Sequence, residues 1–129
     1  MNRRLLQVHA GAAWLFVASI VVQVFLAGAA IAQLGGSGTF AFHIEFGYTY
    51  VGIVALLVVV TALIARAGRT AVATSLGLLV LYVIQTVLPG FKGSVPFVSA
   101  LHPVNALVLF AIAVWYARRA LRAASTARA

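Results

Sequence analysis

Four apolar runs, at roughly residues 5–33, 41–65, 71–90 and 96–117, take up nearly the whole chain, and each is long enough to cross a bilayer. Segments of that kind have few folds open to them. In lipid the backbone must satisfy its own hydrogen bonds, so a crossing is either a helix or a strand of a closed barrel. Barrel strands are about ten residues long and alternate strictly. These runs are longer and do not alternate, so each is expected to be a helix. Only one of the 129 residues is acidic, Glu45, and 64% are hydrophobic. A soluble domain, at about 45–50% apolar, has the polar residues to cover its surface; this chain does not. The expected fold is all-α integral membrane: one four-transmembrane-helix antiparallel bundle, a single domain over residues 1–129 in the lipid bilayer.

The breaks between runs are rich in residues that end helices: Gly35-Gly-Ser-Gly38, Arg66-Ala-Gly-Arg69, and Pro89-Gly90 through Pro96. Arg3-Arg4, the first run and Ala30-Ile-Ala32 imitate a signal peptide with its cleavage site. The run from Leu5 to about Leu34 is long enough to span, and it is read as a retained first helix.

The net charge of +8 is not a nucleic-acid footprint. Arg3, Arg4, Arg66, Arg69, Arg118, Arg119, Arg122 and Arg128 lie at the ends of apolar runs, where cations act as anchors and topology signals; Lys92 alone falls elsewhere. No nucleic-acid partner is expected. The positive-inside rule puts the N-terminus, the 66–69 loop and the C-terminus in the cytoplasm, and the 34–40 and 90–96 loops outside. Trp14 and Trp115-Tyr116 are expected at the inner interface. With no cysteine in the chain, disulfides, thiolate-held metals, Fe–S clusters and thioether-linked haem are excluded.

A short pattern occurs twice. Gln23-Val-Phe-Leu26-Ala-Gly28 is followed by a loop and then Phe42-His43-Ile-Glu45-Phe-Gly47; Gln85-Thr-Val-Leu88-Pro-Gly90 is followed by a loop and then Leu101-His102-Pro103-Val-Asn105-Ala106. The glutamine and histidine are 20 residues apart in the first copy and 17 in the second. The chain then consists of two parallel helical-hairpin repeats related by an axis along the membrane normal. His43 and His102 both fall within about 5–10 Å of the outer helix ends, at 1.5 Å per residue. Their helices are diagonal neighbours in a bundle with short loops, so the two rings should face each other across the core.

Two neutral imidazoles on rigid, opposed elements in an apolar slot are what a bis-histidine haem needs. His43 and His102 are the candidate axial ligands. Gly47 and Ala106, four residues on and on the same helical faces, give a ring clearance, and Gly11, Gly28 and Gly52 are further points of close helix approach. Gln23, Gln85, Asn105 and Ser99 are candidates to hold the imidazole N–H groups, or, for the glutamines, to tie helices together. The competing reading makes both histidines interfacial residues bonded to loops. A zinc or copper site on the same pair is a further option, although two protein ligands seldom suffice. Glu45 lies about 200° round the helix from His43 and is a weak catalytic candidate, as a proton-relay or substrate-contact residue, or else a snorkelling residue near Lys92. His9 has no partner at its depth and is expected at the inner interface. Pro103 should kink the last helix and free a carbonyl near Ser99.

On His43-x-x-x-Gly47, Gln85-x-x-Leu88-x-Gly90, Leu101-His102 and Ala106 the chain resembles one half of a haem A synthase. That family has two four-helix halves, each with a histidine pair on its second and fourth helices near the outer face. One half holds haem b and the other presents the substrate haem; shorter single-bundle relatives pair as dimers. The resemblance implies that His43 and His102 are haem ligands. In the family a glutamate precedes the histidine of the catalytic half, whereas Glu45 follows His43, and the cysteine pair in the outer loop of some members is missing. The layout is similar, too, to a group of four-span membrane proteins common in actinobacteria, and the Ala/Arg-rich tail fits that source. The preferred expectation is a small haem b cytochrome for electron transfer or haem handling, in a homodimer or a larger membrane redox complex. The alternatives are a cofactor-free membrane scaffold or accessory subunit, and a haem A synthase-like homodimeric oxidoreductase.

Overall fold

The computed structural model describes residues 2–34, 36 and 38–127. Four long helices run through it: α1 (Arg3–Ile31), α2 (Ala41–Ile64), α3 (Arg69–Gly93) and α4 (Pro96–Thr126), all long and apolar enough to cross a membrane. Of the residues singled out in sequence, Arg128, Gly35 and Ser37 lie outside the described set.

Caps and reversals follow local chemistry. The Asn2 side chain accepts from the Arg4 N–H at 3.0 Å and opens α1. The turn from α2 to α3 needs left-handed backbone at Arg66 (φ 49°) and Gly68 (φ 95°); glycine takes such a conformation without strain. Pro96 starts α4, where its missing N–H costs no helical bond. The kink expected from Pro103 is instead a break one residue ahead of Leu101, at Ala100, so Pro103 sits in the first turn of the long segment Leu101–Thr126. That segment runs well past residue 117, because the Ala/Arg tail continues as helix with Ala120 and Ala124 buried.

Alanines recur through the interior, alongside a few large side chains such as Phe16 and Leu6, while many large apolar side chains face outward. Ala10, Ala13, Ala55, Ala62, Ala113 and Ala117 are all at or below 2% exposure, whereas Phe42 and Phe97 are more than three-quarters exposed. Lipid gives no hydrophobic drive between helices, so close backbone approach through alanine supplies the packing. Around the bundle, α1 packs on α2 and most extensively on α4, and α3 packs on α2 and α4. Helices α2 and α4 therefore lie across the diagonal, as expected from the short loops. Gly11 and Gly28 are not points of close approach: a Cβ at either would meet nothing within 4 Å.

Candidate functional site

At the end of the bundle away from the arginines, each hairpin closes on itself through a glutamine and a histidine. His43, in the first turn of α2, places Nδ1 3.0 Å from the backbone carbonyl of Gln23 on α1. His102 places Nδ1 2.9 Å from the carbonyl of Gln85 on α3. A carbonyl only accepts, so both Nδ1 atoms carry the proton and donate, and in the neutral ring each Nε2 is left with a lone pair. The glutamine amide meets that lone pair: Gln23 Nε2 is 3.3 Å from His43 Nε2 and Gln85 Nε2 is 3.2 Å from His102 Nε2. The two rings meet edge to face, with centroids 6.2 Å apart at 72°. Phe40 stands edge-on to the other side of His43 at 5.9 Å. Both rings are half-buried.

The neighbours differ between the copies. The Gln23 amide also donates to the His43 carbonyl at 2.8 Å. It reaches that carbonyl by lying against Gly47, where a Cβ would fall 2.5 Å from Gln23 Nε2. Gly47 thus makes room for an amide in this arrangement. In the second copy Asn105 donates to Gln85 Oε1 at 2.7 Å and to the Leu81 carbonyl at 3.0 Å. Gln23 Oε1 has no such donor and is buried without a hydrogen-bond partner among the described residues. Ala106 is half-buried one turn below His102, Glu45 is exposed, and Ser99 is not a hydrogen-bond partner of either ring.

Sequence reading misses how α2 is braced here. Gly47–Val51 is a π-helical turn, a feature frequent at functional sites. The Tyr82 hydroxyl donates to the Gly47 and Tyr48 carbonyls at 3.0 and 3.2 Å, and the Tyr48 hydroxyl donates to the Thr86 carbonyl at 3.1 Å. Tyr82 fits because Gly52 has no Cβ, which would lie 2.6 Å from its oxygen. A lone tyrosine inside an apolar run, with glycines five residues apart on the neighbouring helix, was the available signal.

His9 corrects an expectation. It is not interfacial but 1% exposed, with Nδ1 3.0 Å from Thr61 Oγ1 and Nε2 2.9 Å from the Tyr116 hydroxyl. Tyr116 is likewise inside, at 4% exposure, while Trp115 remains outward with the Arg119 guanidinium 5.1 Å from its ring centre. Among the described residues, no three or more His, Cys, Asp or Glu side chains gather to hold a metal ion unaided.

A family model, described as a family of unknown function (DUF6220), matches residues 23–91, just over half of the chain. The chain belongs to the DUF6220 family. The DUF6220 match opens on Gln23 and takes in His43, Gly47, Tyr82 and Gln85; His102 and Asn105 lie beyond it. Comparison with curated proteins and with solved structures returns no match.

Proposed function

We propose that this protein is a small membrane haem b protein, with His43 and His102 as the axial ligands, serving electron transfer or haem handling. The carrying observation is the close approach of the two histidine rings. Two imidazoles sharing one metal from opposite sides at about 2 Å each stand about 6 Å apart between ring centres, and these stand at 6.2 Å. Each Nδ1–H is fixed on a backbone carbonyl, the support that orients a ligating imidazole and commits its Nε2 to the metal. The ring separation and the two Nδ1 anchors support a bis-histidine iron, which would need the Gln23 and Gln85 amides to leave the Nε2 atoms. Such an iron supplies one-electron chemistry; the chain's own residues hold and aim the rings and wall them in apolar surface.

The orientation belongs to the same proposal. Both termini and the 66–69 turn carry the arginines and face the cytoplasm, and the histidine pair lies near the outer face. The absence of cysteine makes this simple to test. In intact cells Ser94→Cys should label with an impermeant maleimide, whereas Thr126→Cys should label only after permeabilisation. A second copy or a membrane redox complex would supply the electron partner.

The test is a reduced-minus-oxidised visible spectrum of the detergent-purified protein after hemin addition. A sharp α band is expected in the parent and in His9→Ala, and its loss in His43→Ala and His102→Ala. One observation favours a second reading: the amides already complete the hydrogen bonding of both rings. A protein that stays colourless with hemin is a cofactor-free scaffold in which the clasps only tie helices together.

A further inference from the structure

The arginine end of the bundle has a cleft that plays no part in the histidine pair. It lies between α1, α3 and α4, encloses about 140 Å³, and is lined by His9, Thr70, Thr74, Trp115, Tyr116 and Arg119 together with small apolar residues. That is room for about five waters at ~30 Å³ each, or for one compact anionic group.

We propose that this cleft binds the phosphate of an anionic phospholipid. The lining has a cation in Arg119 and three hydroxyls; those of Thr74 and Tyr116 already donate to the Thr70 and Ala71 carbonyls, which leaves Arg119 and Thr70 as the donors toward a ligand, and it has no carboxylate. The one acidic residue of the chain, Glu45, starts α2 at the opposite end. Arg119 is exposed and held over Trp115, so its position is set by the aromatic ring while its N–H groups stay available. Tyr116 and His9 form a rigid floor: the hydroxyl donates to the Ala71 carbonyl at 3.0 Å and lies 2.9 Å from His9 Nε2. A preset guanidinium with the Thr70 hydroxyl in the same cleft favours an anion with several acceptor oxygens.

Leu6, Ala67, Ala120 and Ala123 make the remaining walls apolar, which suits the glycerol and upper acyl carbons of a lipid better than a hydrated ion. Beside it, on the far side of the start of α3, Arg66 and Arg69 head a shallow groove over Leu63, Val72, Ala73 and Leu76. Basic clefts between helix ends on the cytoplasmic side are where anionic headgroups collect.

Thermal unfolding of the detergent-purified protein tests this, with phosphatidylglycerol, phosphatidylcholine or inorganic phosphate added. Phosphatidylglycerol should raise the midpoint by about 5 °C and phosphatidylcholine by much less. Arg119→Gln should keep the lipid-free midpoint and lose the shift. Arg122→Gln, whose arginine is outside the cleft, should keep it, and Thr70→Val should reduce it. Equal shifts with the two lipids, or an Arg119→Gln response like the parent's, would overturn the proposal. If inorganic phosphate alone reproduces the full shift, the occupant is a soluble anion and the lipid assignment falls.

Discussion

The two clasps share two contacts, the ring's bond to a backbone carbonyl and the glutamine amide on its Nε2, and differ in what surrounds them. In both, a histidine Nδ1–H donates to the backbone carbonyl of a glutamine on the preceding helix. In the α3–α4 clasp the glutamine is used at both ends, Nε2 on His102 and Oε1 on Asn105, which is itself tied to α3. In the α1–α2 clasp the residue three beyond the histidine is Phe46, which stacks on Tyr50 with centroids 5.3 Å apart and donates nothing. Gln23 Oε1 is left buried and, among the described residues, unpaired, at a typical cost of about 1–3 kcal/mol. The duplicated feature is thus the ring, its backbone bond and the amide on its Nε2. The second clasp is closed; the first holds an acceptor in reserve and is the side on which a donor or a rearrangement can be accommodated.

The largest break in that comparison is Gly47→Ala. The new Cβ would lie 2.5 Å from Gln23 Nε2, so the amide must give up the His43 carbonyl. A loss of about 2–3 kcal/mol is expected in equilibrium unfolding in detergent. The counterpart Ala106→Gly removes only a methyl from a half-buried helical site and should cost about 1 kcal/mol. Equal losses would mean that the residue four after the histidine does the same job in both copies.

Asn105→Leu makes the second clasp resemble the first by leaving Gln85 Oε1 without its donor. An intermediate cost of about 1–2 kcal/mol is expected. Adding Gln85→Leu to that variant should recover part of the loss, because an apolar pair of similar shape leaves no buried orphan. A double variant as costly as the two single losses combined would show that Gln85 and Asn105 act independently.

The parts that read easily from sequence are those lipid enforces. Run length alone placed α1 to α4, and the diagonal of α2 and α4 followed from short loops; the recurring Gln and His then picked out the paired rings. Where the reading failed, the answer depended on helix rotation. His9 is near the end of an apolar run and so resembles an interfacial residue; whether it faces lipid or Tyr116 turns on the angle at which α1 meets α4. The same rotation puts Tyr116 inside and Trp115 outside, one residue apart. Gly11 and Gly28 resemble helix-contact glycines but face open space, while Gly47 and Gly52 each admit one polar side chain. The π-helical turn at Gly47–Val51 shifts the face of α2 between its histidine and its core residues, and no hydropathy pattern reports a shift of one residue.

The smallest effect, and the finest measure of the asymmetry, is expected from Gln23→Leu. Leucine removes the amide's bond to the His43 carbonyl, yet it also removes the unpaired Oε1. The two changes oppose each other, and the net loss should stay within about 1 kcal/mol. Gln85→Leu, which leaves one Asn105 N–H without its acceptor and removes the amide on His102 Nε2, should cost roughly twice that. The haem reading adds a second axis to the same pair of variants. Gln23→Leu clears His43 Nε2 of its amide without touching the Nδ1–H bond that aims the ring, so hemin should bind at least as well as to the parent. If Gln23→Leu instead proves as costly as Gln85→Leu, Gln23 Oε1 meets a donor in the membrane-embedded protein. Both clasps would then be closed, and the first would have no advantage as the side that yields.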